Sequence, residues 1–167
     1  IDQHTLHALD AANGSKLWHF TAGGRVDSPP TFWKGRVFFG GKDGSVYCLR
    51  ARDGALVWRF RAAPSDRRLG AMEQIESVWP VHGSVLVENN AVSFVAGRSI
   101  FLDGGLRYIR LDAASGRKLI EEIYDDKDPE TGRDIQERVK TLQMPVGLRS
   151  EEHTSELQSQ STISYAV

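Results

Sequence analysis

The sequence has one cysteine, no long apolar run and almost no net charge, and each scarcity argues against a class of protein. Cys48 is the only cysteine among 167 residues, so no disulfide can form within the chain and no cysteine cluster can hold a metal. No stretch reaches about 18 apolar residues, so the sequence predicts no transmembrane helix. The formal net charge of −1 predicts neither a nucleic-acid nor a membrane-surface partner.

Internal repetition is the strongest signal that the sequence does contain. LHALDAANGSKLWHF, which begins at Leu6, aligns without gaps on VYCLRARDGALVWRF, which begins at Val46. A third copy begins at Leu106 and follows the second at a longer spacing, which indicates an insertion between them. The spacing of the first two copies, about 40 residues, is typical of β-propeller blades.

Each copy predicts two strands joined by a tight turn, because alternating apolar residues flank a polar segment that contains glycine. Two further short apolar runs lie between copies, joined by Lys34-Gly35 in one unit and by Asn89-Asn90 in the next. The repeat therefore predicts four short antiparallel strands per unit. We predict an all-β fold, an incomplete β-propeller of about three four-stranded blades with a long loop insertion.

Five residues recur where neighbouring blades would meet. A tryptophan at one place in each blade can fill the gap between wedge-shaped sheets, and a glycine in the preceding turn can supply a positive φ. The predicted blade-docking residues are Trp18, Trp58, Gly14, Gly54 and Gly116.

The spacing Ala8-x-Asp10-x-x-x-Gly14-x-x-x-Trp18 resembles the tryptophan-docking motif of pyrroloquinoline-quinone-like (PQQ-like) propeller repeats. That family includes quinoprotein alcohol dehydrogenases and the lipoprotein propeller of the outer-membrane barrel assembly machinery. The second copy departs from the motif at Cys48 and Arg50, and the third has Ile120 in place of tryptophan. The insertion AAPSDRRLGAMEQIESVWPVHGSVLV, together with AGRSIFLDGG, further resembles a bacterial subset of large multi-domain proteins with such repeats.

The resemblance implies two functions. The first is a binding or assembly module that contacts a protein partner or small ligand through loops at one end of the ring, in a periplasmic or other extracytoplasmic location. The second is part of a quinoprotein dehydrogenase that uses PQQ and Ca²⁺ to oxidise alcohols or sugars. A third possibility is that the propeller accompanies a separate catalytic domain. Dehydrogenases of this family commonly place a disulfide between adjacent cysteines against the quinone, and this sequence has a single cysteine.

The insertion is the predicted functional surface, since charged and aromatic residues concentrate there in predicted loops. The candidate ligand or partner residues are Arg67, Arg68, Gln74, Glu76, Trp79, His82, Arg98 and Asp103. The alternative is purely structural: Arg67 and Arg68 pair with Glu73 or Glu76, Trp79 packs on a blade and His82 makes local hydrogen bonds. No catalytic, cofactor-binding or metal-binding residue is predicted.

Four weaker motifs favour structural explanations. The acidic run from Asp126 to Glu137 has the spacing of a calcium loop, but Gly132 is displaced by one position and Pro129 disturbs the turn, so a solvated turn before a helix at Ile135 to Leu142 is expected. His4 and His7 predict a strand end rather than a metal site. Cys48 predicts a small core residue, and GGKDGS a hairpin turn rather than a phosphate loop.

The end of the sequence, from Arg149 to Val167, reads like the translation of a sequencing adapter. RSEEHTSELQS corresponds to the opening of a widely used adapter, and ISYAV to the stretch that follows its sample barcode. We therefore predict that residues 1–148 are PQQ-like repeats and that residues 149–167 are a non-native, disordered tail, as in a metagenomic fragment. The remaining blades of the same chain are expected to complete the ring, since propellers have four to eight blades.

Overall fold

The computed structural model describes residues 4–71, 73–128 and 130–134. Residue contacts divide the chain into a first unit, Ile1–Asp125, and a second unit, Asp126–Val167. All regular elements in the described residues are β-strands. The predicted helix at Ile135 to Leu142 and the predicted tail at 149–167 lie outside the described residues.

The first unit contains three sheets that follow the predicted repeats, and we call them blades 1 to 3. Blade 1 is a two-stranded sheet, β1 (Thr5–Leu9) and β2 (Lys16–Thr21). Blade 2 has the order β3 (Thr31–Trp33), β4 (Arg36–Gly40), β5 (Ser45–Arg50) and β6 (Leu56–Arg61). The insertion forms a hairpin, β7 (Arg68–Ala71) and β8 (Gln74–Ser77). Blade 3 contains β9 (Leu86–Glu88), β10 (Ala91–Ala96), β11 (Leu106–Asp112) and β12 (Lys118–Tyr124).

The all-β propeller prediction is confirmed, with two differences in detail. Blades 2 and 3 are antiparallel meanders of four strands each, as expected, whereas the described residues supply only two strands to blade 1. The insertion contains a regular hairpin where a long loop was expected. Its polar sequence conceals the alternation, because Leu69 and Ala71 are the only apolar residues of β7.

Left-handed backbone closes the two short turns between the first strands of blades 2 and 3. Lys34 and Gly35 have φ values of 45° and 72°, and Asn89 and Asn90 have 50° and 59°. Two successive positive φ values define the type I′ turn, whose twist matches that of the flanking strands. Glycine and asparagine tolerate this conformation, which explains why Gly35, Asn89 and Asn90 predict the turns from the sequence.

Each pair of neighbouring blades encloses its own apolar core. Between blades 1 and 2, Phe20 makes edge contacts with Phe39 and Tyr47, whose rings are stacked 5.1 Å apart. The core between blades 2 and 3 is larger, and its buried members include Phe38, Cys48, Val92, Phe94, Ile109 and Leu111. The blades therefore pack face to face, and each fully buried large side chain contributes about 1.5–3 kcal/mol.

The second unit is described only for residues 126–128 and 130–134. The Asp128 carboxylate accepts hydrogen bonds from the backbone N–H groups of Glu130 and Thr131, and Lys127 pairs with Asp134 in an isolated bridge. Asp128 thus closes a local turn with its side chain, as aspartate commonly does.

Candidate functional site

Four connections of the first unit meet at one end of the sheets, which we call the insertion end. They are residues 22–30 between β2 and β3, 41–44 between β4 and β5, 62–85 between β6 and β9, and 97–105 between β10 and β11. Antiparallel strands place these alternate connections on the same side. Backbone hydrogen bonds tie them together, from Lys42 N–H to Arg25 C=O, Val81 N–H to Gly41 C=O and Gly97 N–H to Pro80 C=O.

The insertion hairpin crosses this end and contacts all three blades. At its base, the Arg67 guanidinium lies 3.1 Å from the Asp103 carboxylate in the β10–β11 turn of blade 3. Its second strand reaches the β4–β5 turn of blade 2, where Ser77 N–H donates to Lys42 C=O at 2.8 Å. Near its tip, the Gln74 side-chain oxygen lies 3.3 Å from Nε2 of His4, just before β1. One short hairpin therefore joins three separate sheets.

Asp103 anchors the base of the hairpin. Its two carboxylate oxygens bind Arg67 at 3.1 Å and Arg98 at 2.5 Å, while its C=O accepts the indole N–H of Trp79 at 3.0 Å. Arg67 also lies over the Trp79 ring, 5.6 Å from the centroid. Asp103 adopts a positive φ of 56°, which aspartate tolerates better than most residues. The Asp103 carboxylate thus forms ion pairs with two arginines, one from the β6–β9 connection and one from the β10–β11 connection.

A second group of charged residues, which we call the ion cluster, lies beneath the hairpin. Its members are Arg25, Asp27, Lys42, Glu76 and His82. Arg25 lies 2.7 Å from Asp27 and 3.3 Å from Glu76, and Lys42 lies 3.3 Å from Asp27 and 3.6 Å from Glu76. The Lys42 ammonium also lies 2.6 Å from Nδ1 of His82. Arg25, Lys42 and Glu76 are buried. Glu76 is the residue that the hairpin contributes to this cluster.

The ion cluster changes the acidity of two of its members. Burial opposes ionisation of Asp27, but hydrogen bonds and charges from Arg25 and Lys42 outweigh it and lower the pKa of Asp27. Burial of the ring and the positive charge of Lys42 lower the pKa of His82. With Lys42 donating, Nδ1 of His82 is the acceptor, which leaves Nε2 to carry the proton.

Beside the ion cluster, Tyr47 and Asp43 fix the loop that carries Arg25. The Tyr47 hydroxyl donates to Asp43 at 2.6 Å and accepts the Gly23 N–H at 2.9 Å, while Arg59 donates to Asp43 at 2.8 Å. Burial and the neighbouring Asp43 raise the pKa of Tyr47 to about 12. A Cβ on Gly24 would stand 2.5 Å from the Asp43 backbone nitrogen, so this approach requires glycine.

The eight predicted residues separate into three groups. Arg67, Trp79, Arg98 and Asp103 meet around Asp103, and Glu76 and His82 belong to the ion cluster. Arg68 and Gln74 lie apart from both groups, paired with Asp66 and His4. The alternative pairing of Arg67 and Arg68 with Glu73 or Glu76 is wrong, because Arg67 pairs with Asp103 at 3.1 Å and Arg68 pairs with Asp66 at 2.9 Å.

Sequence reasoning missed Arg25, Asp27 and Lys42. Arg25 and Asp27 come from the loop before β3, and Lys42 from the GGKDGS hairpin turn. Three strands, β5, β6 and β7, separate Glu76 from Lys42 along the chain, so no local spacing links the cations to this carboxylate. Lys42, at 7% exposure, occupies a turn, and a buried lysine in a polar turn has no signature in a single sequence.

Four of the five predicted docking residues lie where two described blades meet, namely Trp18, Trp58, Gly54 and Gly116. Trp18 of blade 1 lies against Gly54 of blade 2 and donates its indole N–H to Ala51 C=O at 2.8 Å. Trp58 of blade 2 lies against Gly116 of blade 3 and donates to Ala113 C=O at 3.2 Å. Gly14 has the same positive φ but no atom within 4 Å of a built Cβ.

The remaining candidates have local partners. His7 stacks on His19 of β2 with centroids 6.2 Å apart. Cys48 is fully buried in the core between blades 2 and 3, which confirms the core prediction, and burial raises the pKa of its thiol to about 11. At that pKa the thiol stays protonated near neutral pH and is a poor nucleophile.

The calcium ion of a quinone cofactor would need several free oxygen ligands. The two carboxylates of the ion cluster do not fit it, because Asp27 and Glu76 already face Arg25 and Lys42. No group of three or more His, Cys, Asp or Glu side chains suited to a metal occurs in residues 4–71, 73–128 and 130–134. The ion cluster therefore does not fit this metal.

Comparison with known proteins agrees with the fold. The family profile described as outer membrane protein assembly factor BamB matches residues 2–131. The dehydrogenase subunit of the quinone alcohol dehydrogenase of Gluconobacter oxydans (strain 621H) is 30% identical over 105 residues, which are 54% of this chain and 14% of that protein. The corresponding subunit of Komagataeibacter europaeus is 28% identical over 123 residues, 67% of this chain and 16% of that protein.

A solved structure gives the same result. The quinohemoprotein alcohol dehydrogenase ADHIIG from Pseudomonas putida HK5 superposes with a TM-score of 0.62 at 22% identity, over 75% of this chain and 19% of that chain. This similarity shows the fold, and the chain spans 14% and 16% of the lengths of the two curated relatives above. Because the family profile covers well over half of the sequence, the chain belongs to the family of PQQ-like β-propeller repeat proteins described as outer membrane protein assembly factor BamB.

Proposed function

We propose that the chain is part of a binding or assembly module that contacts a protein partner through the insertion end of its propeller. The observation that carries this proposal is the outward face of the hairpin. Ile75 is 68% exposed there, opposite Gly70, whose added Cβ would meet no atom within 4 Å. An exposed apolar residue beside open backbone leaves room for a partner side chain.

The inward face of the hairpin supports the proposal because it fixes the outward face in place. Leu69 packs on Ala63, Val78 and Trp79, and Glu76 reaches the ion cluster. Loops that bind partners gain affinity when they are ordered before binding, since less conformational entropy is lost. Arg68 stands on the same outward face as Ile75, with its side chain 62% exposed, and adds a cation at the edge of the apolar surface.

Photo-crosslinking in the source organism tests this function. A photoreactive phenylalanine analogue is placed at Ile75 or, as a control, at Leu56, which is 50% exposed but starts β6 at the opposite end of blade 2. We expect one light-dependent adduct of defined mass from position 75 and none from position 56. The partner identified by mass spectrometry is then purified, and Ile75→Asp should weaken its binding by about tenfold or more. Adducts from both positions, or from neither, would contradict the proposal.

A second candidate is part of a PQQ- and calcium-dependent dehydrogenase that oxidises alcohols or sugars. The names of the curated relatives favour it, since both are dehydrogenase subunits of quinone alcohol dehydrogenases. The ion cluster would not supply its calcium ligands, because Asp27 and Glu76 already face Arg25 and Lys42. Adding PQQ and Ca²⁺ to the purified full-length protein and following dye reduction with ethanol or glucose tests it. Turnover that depends on both additions would establish this second function and set aside the first as the main activity.

We further propose an extracytoplasmic location, by analogy with the outer membrane assembly factor that gives the family its description. No helix long and apolar enough to cross a membrane occurs among the described residues. Cell fractionation with periplasmic and cytoplasmic marker enzymes tests the location, and recovery with the cytoplasmic marker would contradict it.

A further inference from the structure

One face of blade 1 and of blade 2 points to the following blade, and we call this face and its equivalent in blade 3 the forward face. Strand register assigns four equivalent positions to it. Blade 1 has Leu6, Ala8, Trp18 and Phe20, and blade 2 has Val46, Cys48, Trp58 and Phe60. Blade 3 has Tyr108, Arg110, Ile120 and Glu122. Two apolar faces are thus followed by one that is mixed.

The forward faces of blades 1 and 2 are covered by the blade that follows. Trp18 and Phe20 pack in the core that contains Phe39, Tyr47 and Leu49 of blade 2. Trp58 and Phe60 pack in the core that contains Phe94, Ile109 and Leu111 of blade 3. In both cases an apolar forward face meets an apolar face of the next sheet.

Alternation along β11 points Arg110 away from blade 2. Its neighbours Ile109 and Leu111 are 1% and 0% exposed in the core shared with that blade, so the residue between them lies on the opposite side. Arg110 pairs across the sheet with Ser93 and Ile120. Around it, Leu86, Val95 and Tyr124 are between 46% and 62% exposed.

The polar groups of this face are only partly matched among themselves. The Tyr108 hydroxyl donates to Ser93, and the Tyr124 hydroxyl donates to Glu122 at 2.6 Å. Nε of Arg110, in contrast, is buried and has no hydrogen-bond partner among the described residues. Because this nitrogen is already enclosed by the chain's own atoms, the charge of the partly buried Arg110 side chain is what a covering surface would have to balance. A carboxylate is the group that does so best.

Size differs as well as polarity. In the two covered faces, a tryptophan lies directly on a glycine of the next sheet, where a Cβ would come within 2.6 to 2.7 Å of the indole. Ile120 occupies the tryptophan position in blade 3 and is 40% exposed. A smaller forward residue leaves space that close packing would fill from the other side.

We propose that the forward face of blade 3 is covered by a following sheet of the same protein that meets it through polar contacts. That sheet places a carboxylate opposite Arg110 and, opposite Ile120, a side chain larger than the glycine found at the two earlier junctions. The assignment to a following sheet rests on continuity, because the forward faces of both preceding blades are covered in this way. Arginine and tyrosine are also enriched in protein interfaces relative to the rest of the protein surface.

Charge reversal in the full-length protein of the source organism tests the proposal. Arg110→Glu should lower the melting temperature by about 4 °C or more, because it opposes two carboxylates at the junction. Reversing the facing carboxylate to arginine in the same chain should restore most of the loss. Arg52→Glu is the matched control, since Arg52 lies in the β5–β6 turn with its side chain 75% exposed, and it should leave the melting temperature unchanged.

Three results would overturn the inference. The first is an Arg110→Glu variant as stable as its parent. The second is a following repeat that carries neither a carboxylate opposite Arg110 nor a side chain larger than glycine opposite Ile120. The third is a concentration-dependent dimer that Arg110→Glu breaks and that the double reversal of Arg110 and Glu122 restores, because a second copy would then be the occupant.

Discussion

Trp58 lies so close to Gly116 that a Cβ on the glycine would stand 2.7 Å from Cδ2 of the indole. Trp18 makes the same contact with Gly54 one blade earlier, where the distance would be 2.6 Å to Cε3. Glycine is therefore required at these junctions for two reasons. It adopts the left-handed turn, and its missing Cβ lets the tryptophan of the preceding blade pack directly against the backbone. Gly14 shares the turn but has nothing against it, which makes the two reasons separable by experiment.

Gly116→Ala is expected to destabilise the protein more than Gly14→Ala. Both glycines have φ near +70°, so both substitutions carry the left-handed penalty of about 1–2 kcal/mol. Only Gly116→Ala also forces Trp58 out of place, which adds about 1–3 kcal/mol of overpacking. Urea unfolding of the two variants measures the difference. Equal losses of unfolding free energy would mean that the tryptophan contact contributes nothing beyond the turn.

Glu76→Gln is expected to lower the unfolding free energy by about 3 kcal/mol, because it removes the hairpin's carboxylate from two buried cations. The control is Asp66→Asn in the same insertion, since Asp66 pairs with Arg68 at an exposed site. That substitution should have no measurable effect on the unfolding midpoint. A Glu76→Gln variant that unfolds like the control would show that the ion cluster does not hold the hairpin.

Stability is expected to fall with decreasing pH in two steps. Burial and the charge of Lys42 lower the pKa of His82 from its ordinary value of 6.5, so the folded state binds fewer protons than the unfolded state. Its contribution is present above pH 6.5 and is lost as the pH falls through the folded-state pKa. The pKa of Asp27 is also lowered, from 3.8, despite burial, by Arg25 and Lys42, so its contribution is lost in a second step below that pH.

The urea midpoint measured from pH 8 to pH 3 checks these steps. His82→Asn should flatten the first step and leave the second, while Asp27→Asn should do the reverse. A midpoint that stays constant between pH 7 and pH 5 in the parent protein would contradict the contribution of His82.

Genomic sequencing across the codon of Leu148, in a library prepared without the adapter, checks the interpretation of the segment from Arg149 to Val167. We expect the reading frame to continue from Leu148 without RSEEHTSELQS. Finding that string in the genome would make it part of the natural protein. The same sequence would supply the residues that face Arg110 and Ile120.

The fold could be predicted because its determinants are local and repeated. Trp18 and Trp58 recur at the same place in successive copies, and Lys34-Gly35 and Asn89-Asn90 announce their turns through the backbone conformations that they tolerate. The candidate site could be predicted only in part. Trp79 and Asp103 are among the candidates in predicted loops, whereas Arg25 and Lys42 resemble ordinary surface cations in the sequence. Only the fold brings the Glu76 carboxylate next to these two cations.

The contacts of the insertion hairpin with three sheets should change the order in which the blades unfold. Repeat proteins usually lose structure one unit at a time, since each unit contacts only its neighbours. Here a single hairpin contacts His4 before β1, Lys42 in blade 2 and Asp103 in blade 3. Local unfolding of one sheet therefore breaks hairpin contacts that also stabilise the other two sheets. Amide protons of all three blades should then exchange with solvent through one shared opening event rather than blade by blade.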